Sequence, residues 1–179
     1  NVPTWIDAAY SYAPSATFTP VATPTAMIVI QGAASVYTRI KRIALWGTAT
    51  ASGQVPIVVT RRSTAGTLGS AVLTAVTPAK HSTSSGTAST TVSTVGTANY
   101  TTLGTAAGYL GGGRIYVTAS GTPIFGGSPA VLTWGDLFDE IPLLQSASEW
   151  ITIDGLGGPT LPTAFTMEYQ IEIEESTVA

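Results

Sequence analysis

From Ala26 onward the chain is written in short β-branched runs separated by glycine, proline, serine and asparagine. Ala26 to Gln31, Val36 to Trp46, Val55 to Arg62, Ala71 to Thr77, Arg114 to Ala119, Ala130 to Trp134, Glu149 to Asp154 and Thr163 to Glu174 each read as strands. The clearest is the last. Phe165, Met167, Tyr169, Ile171 and Ile173 alternate with Thr166, Glu168, Gln170, Glu172 and Glu174, the period of a strand with one buried face and one wet face. In the second run Val36, Thr38 and Ile40 share a phase that Ile43 and Leu45 break, so the pattern predicts a bulge near Lys41-Arg42. No segment keeps a helical period over ten residues; Asp136 to Leu144 is cut by Pro142 and allows one turn. Many short strands with no βαβ alternation predict an all-β fold, an antiparallel β-sandwich of jelly-roll type.

Two segments stand outside this rhythm. Residues 1–25 are rich in alanine, threonine and serine, and are broken by Pro3, Pro14, Pro20 and Pro24, with Trp5, Tyr10, Tyr12 and Phe18 adding apolar bulk. This reads as an extended N-terminal arm ahead of a domain at 26–179, and two readings are open. The arm either folds back on its own domain or drapes over a neighbouring subunit. The stretch at about 78–113 is dominated by serine, threonine, alanine and glycine. It reads as a long insertion that holds weak strands around Thr90 to Val95 and Asn99 to Leu103.

Composition changes the picture in one respect. The chain has 179 residues, the size of one domain, and 44% of them are hydrophobic, yet only 9% are charged. Small uncharged residues must therefore cover much of the surface, as suits a chain that lives in an assembly. Net charge is −3, with no long basic stretch, which argues against a nucleic-acid partner. The longest apolar run, Ala26 to Ile30, is too short to span a bilayer, so the expectation is a soluble chain with no membrane partner. The start Asn1-Val2-Pro3 has no signal-peptide pattern, and its lack of Met implies processing or trimming upstream.

Candidate chemistry is sparse. There is no cysteine, and His81 is the single histidine, which removes the usual zinc ligands and leaves a Ser-His-acid site to be built on a loop. Asp136, Asp139 and Glu140 could line a turn for Ca²⁺ but lack the EF-hand pattern, and read as an acidic surface turn. Glu168, Glu172 and Glu174 line the wet face of a strand and not a cleft. Gly108 to Gly113 and Gly155 to Gly158 lack a phosphate-loop ending and read as turns. Trp5, Trp46, Trp134 and Trp150 could form a sugar-stacking platform, although two lie in strand patterns that favour packing. Asn99-Tyr100-Thr101 matches the glycosylation acceptor by chance. No catalytic, cofactor-binding or metal residue is expected. One feature remains: all seven basic residues lie between Arg39 and Arg114, and nine of the ten acids from Asp136 onward. Either neighbouring strands pair these charges within a sheet, or complementary patches, with Arg39, Lys41 and Arg42 against Glu172 and Glu174, steer subunits together.

The order of features is also familiar. A Pro-rich lead-in precedes the strand from Val36 through Arg39-Ile40-Lys41-Arg42 to Trp46, followed by Ile57-Val58-Val59-Thr60-Arg61-Arg62. After the Thr/Ala/Gly-rich middle come Leu132-Thr133-Trp134 and a closing alternation ending Glu172-Ile173-Glu174-Glu175. From about residue 26 onward this resembles the jelly-roll head-decoration (cement) proteins of tailed bacteriophages. The resemblance implies a structural virion subunit on the outer capsid surface, often trimeric, that clamps the major capsid protein and copies of itself. Its contacts would fall on the arm residues Trp5, Tyr10, Tyr12 and Phe18 and on the charged positions named above. A phage tail or collar protein, and a carbohydrate-binding or adhesion module, are the alternatives.

Overall fold

A computed structural model describes residues 8–14, 16–117, 119, 130–134 and 141–177. Among these residues there is no helix. The strands are β1 (Ala8–Tyr12), β2 (Ile28–Gln31), β3 (Val36–Thr48), β4 (Gly53–Arg62), β5 (Leu73–Ala75), β6 (Ala79–Lys80), β7 (Thr91–Val95), β8 (Ala106–Val117), β9 (Ala130–Thr133), β10 (Leu143–Leu144), β11 (Trp150–Gly155) and β12 (Thr166–Thr177). They form two antiparallel sheets of six strands. The first runs β10-β3-β12-β1-β6, with β9 also on β3; the second runs β5-β7-β2-β11-β4-β8. All eight runs marked by β-branched patterning contain a strand.

The two sheets close on one apolar core. Ile40, Ile43, Leu45, Met167, Tyr169, Ile171 and Ile173 enter it from the first sheet, and Ile28, Ile30, Val55, Ile57, Val59, Ile151 and Ile153 from the second. The alternation along β12 is the one read from sequence, with Met167, Tyr169 and Ile171 fully buried. The bulge is present as well. Glu172 pairs with Arg42 and Ile173 with Ile40, so Lys41 is the extra residue, and the shift restores Ile40 and Ile43 to the same buried face.

Of the two readings of the lead-in, its described part follows the one in which it folds back on its own domain: β1 lies between β12 and β6, pairing Tyr10 with Ile173 and Tyr12 with Ile171. Ala8, Tyr10 and Tyr12 share the core side, and Pro14 falls past the strand end, where it removes no ladder hydrogen bond. Residues 78–113 supply β6, β7 and most of β8. β7 is the weak strand expected around Thr90 to Val95, and it is an inner strand between β5 and β2. Asn99 to Leu103 forms no strand; the loop meets its neighbour at a single bridge, Thr67 to Thr102. At the end of the one-turn segment, Leu143–Leu144 is a strand on β3, while residues 135–140 lie outside the described residues.

The aromatic residues of β1 have a second task. Tyr12 Oη donates to Thr90 O at 2.6 Å and Tyr10 Oη to Gly86 O at 3.2 Å. Burial first, then the nearby Glu175 carboxylate, raises both phenol pKa values. Glu175 itself, which ends the closing acidic alternation, is buried and accepts the backbone N–H of Thr90 at 2.6 Å and of Ser89 at 3.0 Å. The loop before β7 is thus tied to the first sheet by polar contacts. Replacing Glu175 with alanine should orphan two N–H groups and cost about 1–3 kcal/mol, with glutamine recovering part of the loss. Urea titration of the three proteins measures this, and equal midpoints for all three would remove Glu175 from the tie.

Candidate functional site

The charged positions come together on the outer face of the first sheet. Because β3 and β12 pair antiparallel, Arg42 stands opposite Glu172, Arg39 opposite Glu174, Trp46 opposite Glu168 and Thr48 opposite Thr166. Arg42 Nη1 lies 3.3 Å from Glu172 Oε1 and 3.2 Å from Gln170 Oε1, and Lys41 Nζ lies 3.9 Å from Glu174 Oε1. Trp46 Nε1 donates to Glu168 Oε2 at 2.6 Å, and the Thr48 and Thr166 hydroxyls are 2.9 Å apart. The face is a polar ladder in which neighbouring strands satisfy each other. Each ion pair is about one-third exposed and is worth only about 0.2–1 kcal/mol. Of the two readings of the charge split, pairing within one sheet is what the geometry shows for Lys41 with Glu174 and for Arg42 with Glu172.

The arm residues go elsewhere. Tyr10 and Tyr12 are core side chains and offer no contact surface. Phe18 bridges Met167 through two backbone hydrogen bonds of 3.0 and 2.8 Å, and its ring meets Tyr169 edge-on at 6.0 Å. Their bulk serves their own domain. Trp5 lies outside the described residues, as do Asp136, Asp139 and Glu140.

The remaining motifs resolve in turn. The tryptophans build no common platform among the described residues. Trp46 is on the outer face of the first sheet, whereas Trp150 is buried against Tyr100 at 6.0 Å on the outer side of the second. Burial pushes the Tyr100 phenol up to about 12. Asn99 uses its side-chain amide internally, accepting from Thr25 N at 2.8 Å and donating to Thr23 O at 2.8 Å. Gly108 to Gly113 is part of β8 and no turn, whereas Gly157 and Gly158 do turn the chain, with φ of 73° and 60°. His81 Nε2 stands 2.6 Å from Ser11 Oγ at an exposed position, and among the described residues no carboxylate hydrogen-bonds its other ring nitrogen. A serine nucleophile needs that third group and a cleft. No cluster of three or more metal-ligating side chains occurs among the described residues.

What the sequence did not mark is the edge of the second sheet. β8 is a 12-residue strand paired to β4 on one side, with no described strand on the other. It has no proline, and Arg114 is its single charge. Two bulges, where Leu110 and Ala107 have no partner in the β4 register, bend its first half. Gly111, with φ of 154°, lets the strand pass Leu132 of β9, where a Cβ would meet that side chain. Tyr116 on β8 and Val131 on β9 are both large and exposed, at 44% and 48%. No family model matches this chain, and no curated protein or solved structure matches it.

Proposed function

We propose that the chain is a structural subunit that binds other protein subunits, a jelly-roll domain decorating the outer surface of a phage head by bridging major capsid proteins and copies of itself. The observation that carries this reading is β8. A long edge strand offers unpaired backbone groups to another chain, and proteins that avoid such contact shorten the edge, bulge it or load it with lysine and proline; β8 is bulged in its first half alone, and Gly111 to Val117 keep a regular register. Here the edge is long and nearly uncharged, in keeping with a chain of which only 9% is charged. The order of strand segments supports the same reading, since it resembles that of the cement proteins. Addition of a partner strand along β8, with Tyr116 and Val131 as flanking apolar contacts, would supply affinity through the main chain.

Tyr116→Lys combined with Val131→Lys should reduce self-association or binding to undecorated heads at least ~10-fold, while surface changes of this kind move stability by about 0.5 kcal/mol or less. Analytical ultracentrifugation and head-binding isotherms of the parent and the double variant measure this. Equal binding by both would take the contact away from β8. Because the first-sheet ion pairs are internal, Glu172→Lys should leave the same isotherm nearly unchanged.

A further inference from the structure

The regular half of β8 presents three chemically distinct side chains in a row. Arg114 and Tyr116 are exposed on the outer face of the second sheet, opposite Pro56 and Gln54, and Ile115 between them is buried, opposite Val55. Arg114 is the single charge of the strand. Among the described residues its side chain has a neutral partner, Gln54, whose Oε1 accepts from Nη1 at 2.6 Å. Lys41, Arg42, Arg61 and Arg62, by contrast, each lie against a carboxylate.

The sequence holds a complement to this row just ahead of β1. Trp5-Ile6-Asp7 runs aromatic, aliphatic, acid, and Asp7 is the sole acid before Asp136. In an extended chain Trp5 and Asp7 share one face and Ile6 takes the other. Laid antiparallel on β8 with Asp7 opposite Arg114, the segment sets Ile6 opposite Ile115 and Trp5 opposite Tyr116. Acid then meets base and apolar meets apolar, the cross-strand pairs that stabilise a sheet. Pro3 falls past the end of β8 at Val117, where it removes no ladder hydrogen bond.

Within one copy these residues cannot meet. Ala8 is level with Thr38 through Glu175 of β12, whereas Gly113 packs against Ala130, which is level with Leu45. The two positions are separated by about 20 Å along β3 and, from β1 across to β9, by about 14 Å more. Asp7 is one residue, about 3.8 Å, from Ala8.

We propose that Trp5 to Asp7 of a second copy add as a strand to the β8 edge. The inference rests on the reading of β8 as the contact edge and names its occupant. Each copy gives one segment and receives another through a different patch, a heterologous contact of the kind that closes into rings.

Because the chain has no cysteine, an engineered disulfide reports this pairing alone. Directly opposite residues on antiparallel strands stand about 4.5–5.5 Å apart at Cα, within the span of a disulfide. Asp7→Cys mixed with Arg114→Cys, both in the intact chain, should give at least ~10-fold more crosslinked heterodimer under mild oxidation than Asp7→Cys mixed with Leu156→Cys, an exposed position off the edge. In sedimentation, Asp7→Arg and Arg114→Asp should each weaken self-association ~10-fold or more at unchanged melting temperature, and their combination should restore it. Equal crosslinking in both mixtures overturns the proposal. So does charge reversal that changes nothing, or that the combination fails to rescue. If reversing Asp136, Asp139 and Glu140 together, and not Asp7, reproduces the Arg114 effect, the segment is the wrong occupant. Loss of binding in the Tyr116→Lys, Val131→Lys protein without the crosslink keeps β8 as the contact edge and rejects Trp5 to Asp7; no effect in either experiment removes the edge itself.

Discussion

Ile171→Asp should leave no folded protein, whereas Glu172→Lys, one residue on, should melt close to the parent. Ile171 is fully buried between Ile43 on β3 and Tyr12 on β1. Losing its side chain alone costs about 2–5 kcal/mol, and a carboxylate in its place adds the cost of burying a charge with no partner. The sum is comparable to the whole stability of a domain, about 5–15 kcal/mol. Glu172 points the other way, one-third exposed, and gives up a single surface pair with Arg42. Soluble yield and circular dichroism separate the two, and equal melting temperatures would mean that the register of β12 is wrong.

The second large effect is expected at the pair beneath the second sheet's outer face. Asp154→Ala leaves the Arg62 guanidinium buried, about 8% exposed, without its counterion. Breaking a buried pair from one side costs about 3–5 kcal/mol, whereas replacing both partners with apolar residues is often neutral. Asp154→Ala should therefore be severely destabilised, and Arg62→Met with Asp154→Leu should recover most of the loss. Denaturant midpoints measure both; a double variant as weak as the single one would show that the pair is worth more than its burial costs.

The same carboxyl gives a pH signature. Burial, opposed by the Arg62 charge and by side-chain hydrogen bonds from Thr152, Arg62 and Thr60, raises the Asp154 pKa above the ordinary carboxylate range. A carboxyl whose folded pKa is raised binds more protons in the folded state than in the unfolded state. Its contribution is present at low pH and is lost as pH rises through the folded value. Relative to Asp154→Asn, the parent should gain stability as pH falls from neutral towards about 4.

How much of this was legible depends on which force fixed each element. β12 was plain because one face is dry and the other wet, and that alternation is written in its side chains. The Lys41 bulge followed from the same logic, as the one repair that returns Ile40 and Ile43 to a common face. β7 was legible as the weak strand around Thr90 to Val95, whereas the first half of β8 was not, because alanine and glycine carry weak strand preference and that half is held by its backbone ladder to β4. β1 was hidden by prolines that lie outside its span. The pairing of Asp154 with Arg62 depends on strand register, which a single sequence does not state.

Electron microscopy of assemblies purified through the tagged chain addresses the structural role most directly. Many symmetry-related copies on a particle surface, with β8 at the contact to a neighbouring protein, is the expected result. Recovery of the chain as a monomer bound to no other protein, with β8 open to solvent, would contradict it.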